Sequence, residues 1–339
     1  MEELGRRGVH VMPVFLSTSD SRFRNFLNPA ALFRDSKNIF QALRALDPDA
    51  VVGFYILHAV PLAIFKRLFK YVLSVVATGG DINLHSGQPY STIRKFIYRQ
   101  SDLVFAVSTN LQGKMRREWG QQPILLHTGI DPSFFRNLES KDTLRPKWKL
   151  EKDDLVVLTV CNLVKHKGVH VLIDAIGDLQ KRMPNSRIRL LVVGEGPEER
   201  NLKRQSSNLG LGENAIFLGS RTRNELLELY NTADLFVLAS YSEGLPFVLL
   251  EAMACETMCI STPVGDIGKV IRTGYNGFLV KTGDPANLAD RMEEALSLNE
   301  AKRLAMSIQA RETVEKDFDL RRIMLTMVQT LWTRTKGAS

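Results

Sequence analysis

At 339 residues, with 44% hydrophobic and 24% charged side chains, the chain has the composition of a soluble globular protein long enough for two domains. Three cysteines, an odd number, give no disulfide framework and fit a reducing cytosol. Met1-Glu2-Glu3-Leu4-Gly5 lacks the basic start and apolar core of a signal peptide, and Lys66, Arg67 and Lys70 interrupt the apolar stretches, so no membrane span is expected.

In the first half, apolar runs at 9–15, 50–55, 71–77, 103–107 and 124–127 read as strands. The net charge of +8 resides entirely here: residues 1–150 hold 21 Lys and Arg against 12 Asp and Glu, and residues 151–339 hold 24 against 25. The excess is interleaved with apolar residues in Phe65-Lys66-Arg67-Leu68-Phe69-Lys70-Tyr71, Arg94-Lys95-Phe96-Ile97-Tyr98-Arg99 and Lys114-Met115-Arg116-Arg117-Glu118-Trp119. Such segments suit an anionic membrane surface, each charge contributing about 1 kcal/mol. They equally suit a solvated basic face whose apolar side belongs to the core. Nucleic acid is not expected, because no recognised binding motif accompanies the charge.

Residues 137–154 are polar and charged, with Pro146, and read as a linker. Beyond them strand and helix alternate. Strands are expected at 155–160, 189–193, 215–218, 235–238, 258–261 and 277–280, with helices at 169–182, 198–209, 223–231, 247–255, 267–272 and 285–298. This pattern implies a parallel sheet with helices on both faces. Cys255 and Cys259 read as small buried hydrophobes, since no histidine cluster accompanies them. A last helix is expected at 320–333.

Within this alternation, Glu243 and Glu251 bracket Gly244-Leu245-Pro246 and an apolar run, at a strand–loop–helix junction. Proline suits the first helical position. The free N–H groups and positive dipole end of the helix start favour phosphate, and flanking carboxylates can accept hydrogen bonds from sugar hydroxyls. Two solvated surface glutamates are the bland alternative. Against it, Val248-Leu249-Leu250-Glu251-Ala252-Met253-Ala254 surrounds Glu251 with buried neighbours, so its carboxylate needs a partner. Ligands of open α/β sheets also bind at strand carboxyl ends. The combination suits a nucleotide-sugar.

Between residues 160 and 280 the chain resembles the donor domain of the family 4 retaining glycosyltransferases, which have the GT-B fold of two Rossmann-like domains facing a cleft. The resemblance rests on Val160-Cys161-Asn162-Leu163-Val164-Lys165-His166-Lys167-Gly168, Val193-Gly194-Glu195-Gly196-Pro197-Glu198 and Phe217-Leu218-Gly219. It continues through Tyr230-Asn231-Thr232-Ala233-Asp234, Ser242-Glu243-Gly244-Leu245-Pro246, Leu250-Glu251-Ala252-Met253-Ala254 and Gly274-Tyr275-Asn276-Gly277-Phe278-Leu279-Val280. Gly194-x-Gly196 lacks the third glycine of a dinucleotide fingerprint, Glu199 standing in its place. In the first half, Ser101–Ser108, Gly129–Phe135 and Gly79-Gly80-Asp81-Ile82 are similar to acceptor-domain landmarks. The resemblance implies an α/β GT-B fold: an acceptor-binding domain at 1–136, joined by a C-terminal helix at 318–339, a linker at 137–154 and a donor domain at 155–317.

It also implies roles. Lys167 would bind the donor diphosphate, Glu251 the two ribose hydroxyls, and Glu243 the donor sugar, helped by Gly244, Leu245, Phe247 and Val248. Gly219 and Arg221 would line the base pocket, and Asp81 would face the acceptor hydroxyl. No metal or other cofactor is expected, nor a glycosidase-type carboxylate pair.

Four departures stand against the pattern. Asn162 occupies the usual place of an arginine, with Lys165 as its substitute; Thr78 that of a histidine; Glu256 and Met258 those of a glycine and a proline. The usual first strand, glycine-rich loop and long helix are missing before Arg7-Gly8-Val9-His10-Val11, as in a truncated or shortened member.

The leading reading is a retaining glycosyltransferase, cytoplasmic or peripheral on the inner membrane face. It would move a sugar from a nucleotide diphosphate to a glycan or lipid-linked acceptor in cell-surface polysaccharide or glycolipid synthesis. The alternative is a degenerate, non-catalytic nucleotide-binding homologue that assists an active glycosyltransferase.

Overall fold

Runs of Val, Ile and Leu apolar on both faces form two parallel sheets, because only burial on both sides suits such strands. The computed structural model describes residues 29–78, 90–120, 122–138 and 141–336. The chain divides into residues 1–127 with 322–339, and residues 128–321.

In the first unit β1 (Ala50–Phe54), β2 (Val72–Ala77), β3 (Leu103–Ala106) and β4 (Ile124–Leu125) lie side by side in chain order. Side chains alternate across β2. Leu73, Val75 and Ala77 pack with Ile39, Ala63, Ile97 and Met115 of helices Pro29–Leu46, Val60–Phe69, Tyr90–Gln100 and Thr109–Trp119. Val76 on the other face packs with Phe105, Leu126, Met327 and Leu331, the last two from helix Leu320–Lys336. Two acceptor-like landmark residues have local structural work. Asp102 accepts the Leu73 N–H at 2.8 Å and pairs with Lys66 at 2.6 Å, and Ser108 caps helix Thr109–Trp119. The expected strand at 9–15 and the loop carrying Asp81 lie outside the described residues.

In the second unit β5 (Leu155–Val160), β6 (Ile188–Val193), β7 (Ala215–Gly219), β8 (Leu235–Leu238), β9 (Met258–Ser261) and β10 (Phe278–Leu279) take the order β10-β9-β8-β5-β6-β7. The chain winds outward from β5 to β7, then returns to lay β8 on the free side of β5, pairing Leu158 with Phe236. That reversal is the doubly wound switch point, where the carboxyl ends of the two central strands open a crevice.

Three segments differ from expectation. Within the expected linker at 137–154, residues 141–154 are packed: helix Lys141–Leu144 and the turn Arg145–Trp148 are pinned by buried Arg145, whose Nη2 donates to Asp234 Oδ2 at 2.8 Å. Asp234 also accepts the Val156 N–H, the same arrangement as Asp102 in the first sheet. Gly129–Phe135 belongs to the second unit, because Phe135 packs edge-on against Tyr230 and Ile130 bonds to Phe318 and Leu320 through the backbone. Helix Glu300–Asp317, capped by Asn299, was not expected. A smaller correction concerns Pro246, which is the extended N-cap residue and not the first helical position; the helix begins at Phe247, as expected.

Candidate functional site

The loops leaving β5 and β8 meet at the switch point. Tyr241 N–H donates to the His166 carbonyl at 2.8 Å, and Gly168 touches Ala239 so closely that a Cβ there would lie 2.0 Å from its carbonyl oxygen. Gly168 also has φ +68°, so two constraints select glycine. This approach aims Lys167 across the crevice. Lys167 Nζ lies 2.7 Å from Glu243 Oε1, which also accepts the Ser240 hydroxyl at 2.7 Å. Only 18% of the lysine side chain and 9% of the glutamate side chain remain exposed, which strengthens the interaction relative to a surface pair. Glu243 and Gly244 are supported by Gly265, where a Cβ would stand 2.3 Å from both carbonyl oxygens, and by the Asp266 N–H on Gly244 O at 2.8 Å.

A cavity of about 390 Å³ opens here. Asn162, Lys167, Arg221, Glu243, Phe247 and Val248 line it. Of the other expected residues, Lys165 is exposed on the turn before Lys167, and Gly219 ends β7 with φ +68°. Gly244 faces open space: a Cβ there would meet nothing within 4 Å. The Leu245 side chain is buried in the core beneath the loop. Pro246 offers helix Phe247–Ala254 no side-chain cap, leaving the first N–H groups for an anion.

Glu251 is the fifth residue of that helix and accepts the Tyr230 hydroxyl at 2.8 Å. Burial pushes its carboxyl above the usual range, while the Tyr230 hydrogen bond and the Arg223 charge pull the other way. Arg223 stacks over Phe134 at 4.0 Å and Phe135 at 5.1 Å. Burial raises the Cys161 thiol to about 11 despite Lys167, so it stays protonated at neutral pH and is no nucleophile. Among the described residues no cluster of three or more His, Cys, Asp or Glu could hold a metal ion. The cavity therefore combines one ammonium, unsatisfied helix N–H groups and the Glu243 carboxylate, a set able to hold a phosphate and accept sugar hydroxyls, while Glu251 stands one turn along the same helix and does not line it.

Residues 140–313 match the profile of the family described as glycosyl transferases group 1, which spans this entire site. The chain belongs to that family. This glycosyltransferase is 29% identical over 278 residues to the N-acetyl-alpha-D-glucosaminyl L-malate synthase of Bacillus anthracis, covering 80% of the chain and 71% of that protein. It is 28% identical over 247 residues to the putative colanic acid biosynthesis glycosyltransferase WcaL of Salmonella typhimurium, covering 69% of the chain and 58% of that protein. Among solved structures, it is similar to Anabaena HepE in complex with UDP, with TM-score 0.78 and 22% identity over 88% of the chain and 82% of HepE. The sucrose-phosphate synthase of Thermosynechococcus elongatus gives TM-score 0.78 at 21% identity, covering 98% of the chain and 86% of that structure. These structural likenesses establish the GT-B fold.

Sequence reasoning missed Tyr230, Ser240, Arg223 and Gly265 as supports of the glycosyltransferase site. One signal was available: a glutamate in an apolar helix requires a buried donor, and Tyr230 lies in the preceding helix. The others depend on loop crossings that no local pattern reveals. No described helix is long and apolar enough to cross a membrane.

Proposed function

We propose that the chain is a retaining transferase that moves a sugar from a nucleoside diphosphate to a glycan or lipid-linked acceptor in cell-surface polysaccharide or glycolipid synthesis. The observation that carries this reading is the Lys167–Glu243 pair beside the bare start of helix Phe247–Ala254 at one switch point, with Glu251 one turn further along that helix. The description of HepE with UDP bound, and the colanic acid role named for WcaL, support a nucleotide donor and a polysaccharide product.

In this reading residues 155–317 of the second unit bind the donor and the first unit binds the acceptor. Glu251 accepts the two ribose O–H groups. Lys167, with Lys165 nearby, neutralises the diphosphate, and the N–H groups of Gly244, Phe247 and Val248 add donors. Glu243 holds the sugar, while Gly219 and Arg221 border the base. The acceptor oxygen, oriented by Asp81, attacks the anomeric carbon on the face the diphosphate leaves. The carbon–oxygen bond to phosphate breaks, and the leaving phosphate oxygen takes the acceptor proton. Lys167 matters most as negative charge builds on that oxygen. The step needs no metal, and the protein works in the cytoplasm at the inner membrane face.

The test is calorimetric titration of the chain with UDP, GDP and ADP, alongside Asn162→Arg. Saturable binding of one nucleotide is expected, about fivefold tighter in the variant, which restores a cation to the cavity wall. No binding by either form would overturn the donor reading and favour the non-catalytic homologue, for which Asn162 in place of an arginine is the supporting feature.

A further inference from the structure

We propose that the outer face of helices Val60–Phe69 and Tyr90–Gln100 docks on an anionic phospholipid bilayer. Both helices cover the same side of the first sheet, since Ala63 and Ile97 share one core with Leu73, Val75 and Ala77. They lie side by side, with Lys66 Nζ donating to the Gln100 carbonyl at 2.8 Å. On the side away from the sheet, Ile64 and Leu68 are one turn apart and 58% and 64% exposed. Phe96 is 41% exposed. Tyr98, on the opposite flank of the same helix, meets Trp119 at 4.9 Å, which turns Phe96 toward the Val60–Phe69 helix. The two neighbouring helices therefore carry three exposed apolar groups on the side of the first unit away from its sheet.

Cations surround it. Arg67, Lys70, Lys95 and Arg99 are all exposed, and none pairs with a carboxylate among the described residues. Asp102, the acid at the junction of the two helices, is held by Lys66 at 2.6 Å. Charge decides the occupant. A second copy of this face would bring four cations against four, and a nucleic acid has no use for Ile64 and Leu68. A bilayer satisfies both features, taking the apolar groups at the headgroup boundary while phosphates meet the cations.

The inference rests on the first unit alone and deepens the reading of a membrane-borne acceptor. Its test uses no nucleotide, so the two can fail separately. The full chain is sedimented with vesicles of phosphatidylcholine alone, or of phosphatidylcholine and phosphatidylglycerol in equal parts. Binding is expected only to the anionic vesicles, weakening as salt rises. Lys95→Gln and Arg99→Gln should each lower the partition coefficient about fivefold. Ile64→Ser with Leu68→Ser should abolish residual binding at high salt, with an unchanged circular dichroism spectrum and thermal melt as a control for folding. Arg204→Gln, which removes an equal charge from an exposed position of the second unit, should bind as the parent does. Equal binding to neutral vesicles, or parental binding by the charge variants, would overturn the proposal. So would a dimer abolished by Leu68→Ser, or duplex DNA displacing the vesicles.

Discussion

Tyr230 Oη donates a 2.8 Å hydrogen bond to Glu251 Oε2 from a ring wedged edge-on between Phe135 and Phe236. The two residues stand on successive helices, and the ring is fully buried, so the hydroxyl has one direction to point. A carboxylate amid apolar helix neighbours is thereby fixed by one oxygen before any ligand arrives. Phe135 comes from the Gly129–Phe135 segment, which thus acts as scaffolding for the second unit.

Burial raises the Glu251 pKa and the Tyr230 bond opposes this rise, which fixes the sign of a pH effect. Only the ionised carboxylate can accept both ribose hydroxyls. Nucleotide affinity should therefore fall on acidification with a midpoint above that of an ordinary carboxylate, and Tyr230→Phe should move that midpoint higher. The same raised pKa means that ionised Glu251 opposes folding above its folded pKa, and that this penalty vanishes below the unfolded one. Glu251→Gln should accordingly gain up to about 1 kcal/mol of stability at neutral pH while losing nucleotide affinity. Calorimetry against pH and chemical denaturation measure the two effects. A glutamine variant that binds as tightly as the parent would refute the ribose assignment.

The Lys167–Glu243 pair predicts a split between chemistry and binding. Lys167→Ala should reduce turnover about 10²–10³-fold, with a smaller loss in nucleotide affinity, because the ammonium faces most charge as the phosphate leaves. It also leaves Glu243 with Ser240 as its hydrogen-bonding side chain at a largely enclosed position, costing about 1–3 kcal/mol of stability. Steady-state kinetics beside nucleotide titration separates these losses. Equal losses in turnover and affinity would show that Lys167 binds ground state and transition state alike.

Two glycines a few ångströms from this pair should respond in opposite ways. Gly168→Ala places a Cβ 2.0 Å from the Ala239 carbonyl at a positive φ, and should cost about 3 kcal/mol or more. Gly244→Ala meets nothing within 4 Å and should change stability by less than about 1 kcal/mol. Gly244→Ala should nevertheless weaken donor binding, since its methyl group enters the space where the sugar phosphate belongs. Thermal melts and nucleotide titration of both variants decide this; unchanged binding in Gly244→Ala would place the donor elsewhere.

The second sheet was legible because strands buried on both faces read as continuous apolar runs, and each of β5 to β10 falls within a residue or two of its expected bounds. Helix Glu300–Asp317 was hidden. Its buried positions include Ser307 and Ala310, while Leu304 and Ile308 are exposed, so no apolar stripe marks it. Residues 137–154 read as a linker because their anchors are charged: Arg145 on Asp234 and Lys147 on Glu228 are long-range pairs invisible to local composition. Glu243, Lys167 and Glu251 could be singled out by residue type and spacing. That Lys167 rests on Glu243, and Glu251 on Tyr230, required the crossing of loops and helices that only the fold supplies.

Glu256 illustrates how a departure from a family pattern can be structurally absorbed. It follows helix Phe247–Ala254 in a left-handed conformation, φ +60°, at a position where the resemblance leads one to expect glycine. That backbone costs a side chain about 1 kcal/mol. The offset is visible: Asn137 Nδ2 donates to Glu256 Oε2 at 2.9 Å, and Arg311, which also closes the helix by donating to the Ala254 carbonyl at 2.6 Å, lies 3.9 Å from Oε1. Glu256→Gly removes strain and contacts together and should stay within about 1 kcal/mol of the parent. Glu256→Ala keeps the strain and loses the contacts, so it should be the least stable of the three by about 1–2 kcal/mol. Denaturant melts give the order. Alanine matching or exceeding glycine would show that the left-handed backbone carries no cost here and that the Asn137 and Arg311 contacts offset nothing.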